Sequence, residues 1–521
     1  MTPTVRLRLR FVVTAVLLTA LLATAALTPA TAASGHTKTD LAIQGAQNTP
    51  IWVSVYRPAG ASARKPVPVI MHSHGWGGSR TNSDDAFTTE LDRGYGVVSF
   101  DQRGFGESGG KANVQDPELE GRDVSAIIDH IASLPWVAKD RNSAGRVIAN
   151  DPVLFAMGGS YGGGYQLVGA LTEIRDKGRT RFNALAPEIT WFNLSESLAP
   201  AGVARSAWNT LLYAAGAANI VEYVHPAFAW GSSTGQWPDG TNPAIHNLDR
   251  EFFNHGPSGF VRRGVRLNIP ALFSQGASDN LFNLNQGIHN FQQTLTPGAR
   301  ARSLLMGFNG GHALPNVAPA GYASGSDACS GEGGFSALRL RFFDAVRKGA
   351  NPRALQRAAY NLTSADGERC LSTGTVNNYR RFKPGYDVEV ATGTATTTGA
   401  GAIQHLEVAN GPLTVTGIPK LRSTVTTLGA DQRVFFALSV GTTAADATVV
   451  QNNMMPLREL LPIVQTQRII ELPGVAVDVK KGEKLFLTVS PVSDMSFGHG
   501  SVRTPGVVAL ENLRLDLPVA R

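Results

Sequence analysis

A serine flanked by glycines, Gly158-Gly159-Ser160-Tyr161-Gly162, follows the apolar run Val153-Leu154-Phe155-Ala156-Met157. Gly-x-Ser-x-Gly behind a buried strand is the pattern of a sharp strand-to-helix turn that holds a hydroxyl clear of the sheet. The glycines leave room where strand and helix backbones approach. A Gly/Ser-rich loop carries the same five letters, so the motif needs support from the rest of the chain. A serine hydroxyl is a weak nucleophile at neutral pH; it needs a base, and the base needs an orienting acid. Both follow in the order Ser, Asp, His. The strand pattern Ile269–Gly276 runs into a loop with Asp279, and the apolar run Ser303–Gly307 runs into Phe308-Asn309-Gly310-Gly311-His312. Alone, either residue reads as a solvated turn position. Together, at three strand ends where open α/β sheets bind ligands, Ser160, Asp279 and His312 are expected to form the catalytic triad of an acyl-transfer enzyme. Asp327 is the next carboxylate to consider.

Acyl transfer also needs donors for the developing oxyanion. The backbone N–H of Tyr161, directly after the nucleophile, is one. The strand Val67–Met71 runs into His72-Ser73-His74-Gly75-Trp76-Gly77-Gly78, and such a His-Gly loop supplies the other; Trp76 is assigned that role. His72 and His74 alternate as metal ligands can, but no cysteine or carboxylate cluster accompanies them. They are read as structural, with no metal and no cofactor.

The elements that must carry these residues alternate strand and helix. A strand–turn–strand pattern covers Leu41 to Tyr56, and Val97–Phe100 is a further strand. Val124, Ile127, Ile128 and Ile131 fall at helical spacing. The alternation predicts a mostly parallel sheet wrapped by helices. It stops between Pro187 and about Leu267, a stretch rich in aromatics (Trp191, Trp208, Tyr213, Phe228, Trp237 among them). This reads as a cap inserted over the site. Its aromatics either line a substrate pocket or form the cap's own core. Glu188, Trp191 and Glu196 are the candidate substrate-binding residues; the two glutamates also read as exposed or helix-capping positions. Phe335, Leu338, Phe342 and Val346 share a helical face that ends before Gly349. Residues 350–374 read as a linker. From Tyr386 onward short strand patterns dominate, with Gly506–Leu510 and Arg514–Leu517 as the last two, which predicts an all-β sandwich of jelly-roll type.

Residues 1–32 have the layout of a signal peptide: Arg6, Arg8 and Arg10, then an apolar stretch from Phe11 to Leu27, then Ala30-Thr31-Ala32. Without paired arginines before the apolar run, the general secretory route is expected, and a secreted protein with no membrane span. Losing those three arginines and no acid lowers the formal net charge of the 521-residue chain from +7 to +4. The remaining basic residues are scattered, which argues against a nucleic-acid partner. Cys329 and Cys370 are the only cysteines, and two in an exported chain imply one disulfide. Oligomeric state is not legible.

Several features together resemble the X-Pro dipeptidyl-peptidase and cocaine-esterase-like group of serine hydrolases. They are the Gly-Gly-Ser-Tyr-Gly-Gly turn, the Asp101-x-Arg-Gly-x-Gly-x-Ser loop, the Arg341-Phe342-Phe343-Asp344…Lys348-Gly349 helix, and Leu413-Thr414-Val415-Thr416-Gly417-Ile418-Pro419 in the C-terminal part. The resemblance implies an α/β-hydrolase domain over residues 33–355, with a helical cap at about 187–267, and a jelly-roll domain over 375–521. It maps the triad onto Ser160, Asp279 and His312. Relatives often use a tyrosine side chain as the second oxyanion donor; here the loop reads His-Gly-Trp-Gly-Gly, so a backbone donor is expected. The expected activity is cleavage of peptide or related acyl bonds as an X-Pro dipeptidyl-peptidase. A carboxylesterase or acylase is the alternative within this class, and a non-catalytic glycan- or cell-surface-binding protein is the alternative outside it.

Overall fold

A computed structural model describes residues 35–392, 403–498 and 505–520; the expected signal peptide lies outside them. The described residues from His36 onward form one compact unit. At its centre is a ten-stranded sheet. Its strands are β1 (Thr37–Gln44), β2 (Pro50–Arg57), β3 (Val69–Ser73), β4 (Gly96–Phe100), β7 (Leu154–Gly159), β8 (Ala184–Glu188), β9 (Leu272–Gly276), β10 (Leu304–Phe308), β11 (Tyr360–Thr363) and β12 (Cys370–Thr373); β5 (Lys139–Arg141) and β6 (Val147–Pro152) form a separate hairpin. The order is β1-β2-β4-β3-β7-β8-β9-β10-β11-β12, parallel from β4 through β11 and antiparallel at both edges.

The strands are apolar because both faces are covered. Leu154 and Ala156 point into one core and Phe155 and Met157 into the other, as a period of two demands. Helices α2 (Glu120–Ser133) and α3 (Tyr161–Lys177) cover the first face. Helix α1 (Thr88–Asp92) and the late helix α11 (Gly334–Arg347) cover the second, through Leu91, Leu338, Phe342 and Phe343. Between β8 and β9 the chain leaves the sheet to form α4 (Leu194–Leu198), α5 (Ser206–Gly216), α6 (Val224–Thr234), α7 (Leu248–Asn254) and α8 (Pro257–Arg262). Helices α9 (Leu284–His289) and α10 (Pro297–Arg300) follow β9.

Residues 350–374 are no simple linker: they supply β11 and β12, which extend the sheet. Cys370, on β12, is disulfide-bonded to Cys329, so the bridge ties the segment before α11 to the sheet's last strand.

The remaining strands are antiparallel. One five-stranded sheet contains β13 (Tyr379–Phe382), β14 (Val388–Thr392), β17 (Lys420–Leu428), β21 (Thr466–Glu471) and β24 (Gly506–Pro518). The other contains β15 (Gln404–Asn410), β18 (Gln432–Gly441), β19 (Thr448–Val449), β20 (Met455–Glu459) and β23 (Lys484–Ser490), while β16 (Leu413–Gly417) pairs with β22 (Val475–Val479). A shared core that includes Leu421, Val425, Phe436 and Leu487 makes this a sandwich. The last two expected strands are one continuous strand, β24.

Candidate active site

Ser160 sits between β7 and α3 with φ 57° and ψ −122°, a conformation that costs a non-glycine residue energy and persists only where the surroundings impose it. Two contacts impose it here. Gly158 has φ +143°, and a Cβ on Gly162 would lie 2.4 Å from the carbonyl oxygen of Ser73 on the neighbouring strand. The Ser160 N–H donates to the Glu188 carbonyl at 3.0 Å, which hangs the turn on β8.

Asp279 follows β9 and is fully buried. Its Oδ1 accepts from the N–H groups of Leu281 (3.0 Å) and Phe282 (2.6 Å), and its Oδ2 lies 2.7 Å from His312 Nδ1. His312, in the loop after β10, places Nε2 2.9 Å from Ser160 Oγ. The ring is held edge-on by Trp208 and Phe282. Three residues that are far apart in sequence thus form one hydrogen-bonded chain from carboxylate to imidazole to hydroxyl. With Nδ1–H committed to the carboxylate, Nε2 is left as the acceptor for the hydroxyl proton.

Tyr161 is the first residue of α3, so its N–H has no intrahelical acceptor. The Trp76 loop passes beside the turn: a Cβ on Gly75 would sit 3.9 Å from Ser160 Cβ. A Gly78 N–H bond to the Gly75 carbonyl (3.1 Å) closes that loop, and the Trp76 indole donates to the Leu212 carbonyl of α5 at 2.8 Å. The Trp76 and Tyr161 rings meet edge to face.

His72 and His74 serve this architecture. His74 has Nδ1 2.8 Å from the Gly75 carbonyl, and its Nε2 accepts from the Gln102 N–H at 3.0 Å. His72 pairs through Nδ1 with Ser99 Oγ, and burial, reinforced by the Arg339 charge, pushes it down to about 4.

The candidate substrate residues separate. Trp191 lines a cavity of about 310 Å³ that Ser160 opens into. Glu188 and Glu196 are not among its lining residues. Glu188 pairs with Arg339 of α11 at 2.9 Å, and burial raises its carboxyl. Glu196 lies in α4, where burial pushes its carboxyl up to about 7 against the pull of Arg205. The cap aromatics do both things expected of them. Tyr213, Phe228 and Trp237 line the cavity with Trp191, and Trp191 and Trp237 also belong to the cap's core. No charged side chain lines the cavity among the described residues.

Two residues unmarked in the sequence hold the acid loop. The guanidinium of Arg205, buried at the start of α5, donates to the carbonyls of Asn280 and Leu281. Asn280 accepts from the Trp208 indole at 2.8 Å and brackets Leu314 through its N–H and carbonyl. Neither residue lies in a motif.

The family model of the X-Pro dipeptidyl-peptidases (S15 family) matches residues 47–313, just over half of the chain, including Ser160, Asp279 and His312. The chain belongs to this family. It is a serine hydrolase of the dipeptidyl-peptidase and esterase type. Solved structures agree on the fold. A CocE/NonD family hydrolase from Staphylococcus aureus superposes with a TM-score of 0.59 at 14% identity, covering 93% of this chain and 94% of its own. An aminopeptidase from a marine sediment archaeon, Thaumarchaeota archaeon, gives 0.65 at 13%, covering 95% and 98%. An alpha-amino acid ester hydrolase gives 0.60 at 12%, also covering 95% and 98%. No curated protein matches the chain.

Proposed function

We propose that the chain is an exported carboxylesterase that hydrolyses esters of uncharged, apolar acyl groups through a covalent acyl-enzyme. Ser160 Oγ attacks the ester carbonyl while His312 Nε2 takes its proton. The N–H groups of Tyr161 and Trp76 hold the oxyanion. The imidazolium, steadied by Asp279, then protonates the leaving alcohol. Water repeats the sequence on the acyl-serine and releases the acid.

The observation that carries the choice of substrate is the cavity. A dipeptidyl-peptidase must hold the substrate's N-terminal ammonium, and desolvating that charge without a carboxylate partner is costly. The described residues around the cavity offer apolar surface, with a few hydroxyls and amides from Ser206, Asn209, Thr210 and Gln236. Such a lining suits an alkyl or aryl acyl chain. The family match favours the second reading, an X-Pro dipeptidyl-peptidase. Export rests on the N-terminal basic-then-apolar segment.

A panel of p-nitrophenyl esters (acetate to decanoate, and benzoate) beside Gly-Pro and Ala-Pro p-nitroanilides decides between the two. The ester reading expects kcat/KM to rise with acyl length and the anilides to be cleaved at least 100-fold more slowly. Faster cleavage of Gly-Pro anilide than of every ester would establish the peptidase reading instead.

A further inference from the structure

The sandwich reaches into the site through three consecutive amides, Gln451-Asn452-Asn453, in the turn between β19 and β20. All three are at least 97% buried. Gln451 and Asn452 both have positive φ, 50° and 59°, a left-handed pair that side chains other than glycine rarely adopt. The turn aims each amide at a loop carrying a triad member. Asn453 Nδ2 donates to the carbonyls of Asp279 (3.0 Å) and Ala277 (3.1 Å). Asn452 Nδ2 donates to the Leu314 carbonyl (2.7 Å), and its Oδ1 and carbonyl oxygen accept from Asn316 N–H (3.2 Å) and Nδ2 (2.9 Å). Gln451 Nε2 donates to Asn309 Oδ1 (2.7 Å), three residues before His312. The other side of the Gln451 amide accepts from Ala476 N–H of β22.

We infer that Asn453, with Asn452, is a positioning residue for the reaction: the sandwich locks the acid loop and the histidine loop in mutual register from behind. This rests on the proposed roles of Asp279 and His312. The chemistry fits the task. An amide N–H₂ reaches two carbonyls of one loop at once, and an amide is neutral, so it adds no charge beside the Asp279–His312 pair. Loop carbonyls held this way cannot relax without unpairing buried groups, which carries a full desolvation cost. Triad geometry is sensitive to such relaxation: a displacement of about 1 Å can cost on the order of 100-fold in rate.

Asn285 provides the comparison. It also crosses to the sandwich, donating to the Leu472 carbonyl (3.0 Å) and accepting from Gly474 N–H (2.6 Å), and these side-chain bonds reach neither triad loop. The test measures kcat, KM, the fluorophosphonate inactivation rate and Tm for the full-length wild type and for Asn453→Asp, Asn453→Ser, Asn285→Ala and Ser160→Ala. Asn453→Asp turns the donor into a carboxylate facing two carbonyls. It is expected to lower kcat and the inactivation rate together by about 10- to 100-fold, with KM within twofold. Asn453→Ser keeps one hydroxyl donor and is expected to recover part of that loss; it stands alone as the test if Asn453→Asp does not fold. Asn285→Ala is expected to lower Tm with kcat unchanged. The inference is overturned if the folded Asn453 variants keep wild-type kcat, or if Asn285→Ala loses as much kcat as they do. Hydrolysis that survives in Ser160→Ala would overturn it along with the reading of the site; with Ser160→Ala inactive, intact kcat in the Asn453 variants overturns the positioning role alone.

Discussion

At the scale of single residues, the site depends on strain and on directed hydrogen bonds. Ser160 stays at positive φ because β3 and β8 crowd the turn. Gly162→Ala is therefore expected to be severely destabilising, since its Cβ would meet the Ser73 carbonyl at 2.4 Å; soluble yield and Tm would check this, and a normally stable variant would refute it. Asp279→Asn keeps the shape but removes the charge and favours the wrong imidazole tautomer. A fall in kcat of about 10⁴ is expected, the size found when a protease triad suffers the same change, and retention of most of kcat would send the search to another carboxylate. The hydrogen-bonded chain from Asp279 through His312 to Ser160 was legible because the chemistry proposed for it demands a fixed chain order at strand ends, and that pattern survives in a single sequence. Asn453 was not legible. Its bonds to the acid loop span 174 and 176 positions, and an amide in a turn carries no local mark of what it will touch. Arg205 is similar: nothing in its local sequence marks it, and only the folded cap shows it buried with its guanidinium on the Asn280 carbonyl.

Elements whose periodicity is set by burial were the readable ones. The faces of α2 and α11 and the buried strand β7 followed from apolar spacing alone. Misreadings arose where the deciding interaction lies elsewhere. Strands β11 and β12 are short and polar in part, and they are strands because β10 offers an open edge. β24 reads as two strands because the polar residues Glu511 and Asn512 interrupt its apolar alternation, yet β17 pairs along most of its length with one register shift near Ser423. On the proposed function, the cap elements that line the cavity decide selectivity. Ala227 of α6 is fully buried and lines the cavity, so Ala227→Phe would fill part of it. Octanoate and decanoate esters are expected to lose at least tenfold in kcat/KM while acetate is little affected; equal losses across the series would mean that acyl chains do not enter this cavity.

For the whole molecule, hydrolase and sandwich are joined by polar contacts as well as by apolar packing. Arg458 and Arg433 of the sandwich donate to the cap carbonyls of Gly202 and Gly235, and His289 of α9 meets Glu471 of β21 at 3.2 Å. The hydrogen bond from His289, with Lys420 beside it, outweighs burial and holds the Glu471 carboxyl at about 2, against 4.5 as its ordinary value. A carboxyl that binds its proton less tightly when folded contributes stability above its unfolded value and loses it as pH falls towards its folded one. Between about pH 4.5 and about pH 2 the wild type should therefore lose more stability than Glu471→Gln; parallel Tm-against-pH curves would contradict this. The disulfide closes a loop of 41 residues, and on the chain-entropy argument its removal by Cys329→Ser with Cys370→Ser should cost about 4 kcal/mol, measured by urea unfolding. Whether this molecule works through an acyl-serine at one position is read by mass spectrometry of the intact protein after reaction with a fluorophosphonate. One adduct per chain is expected, mapped to Ser160 and absent from Ser160→Ala, with kcat in that variant reduced by roughly 10⁶. An adduct on another serine, or one that persists in Ser160→Ala, would contradict it.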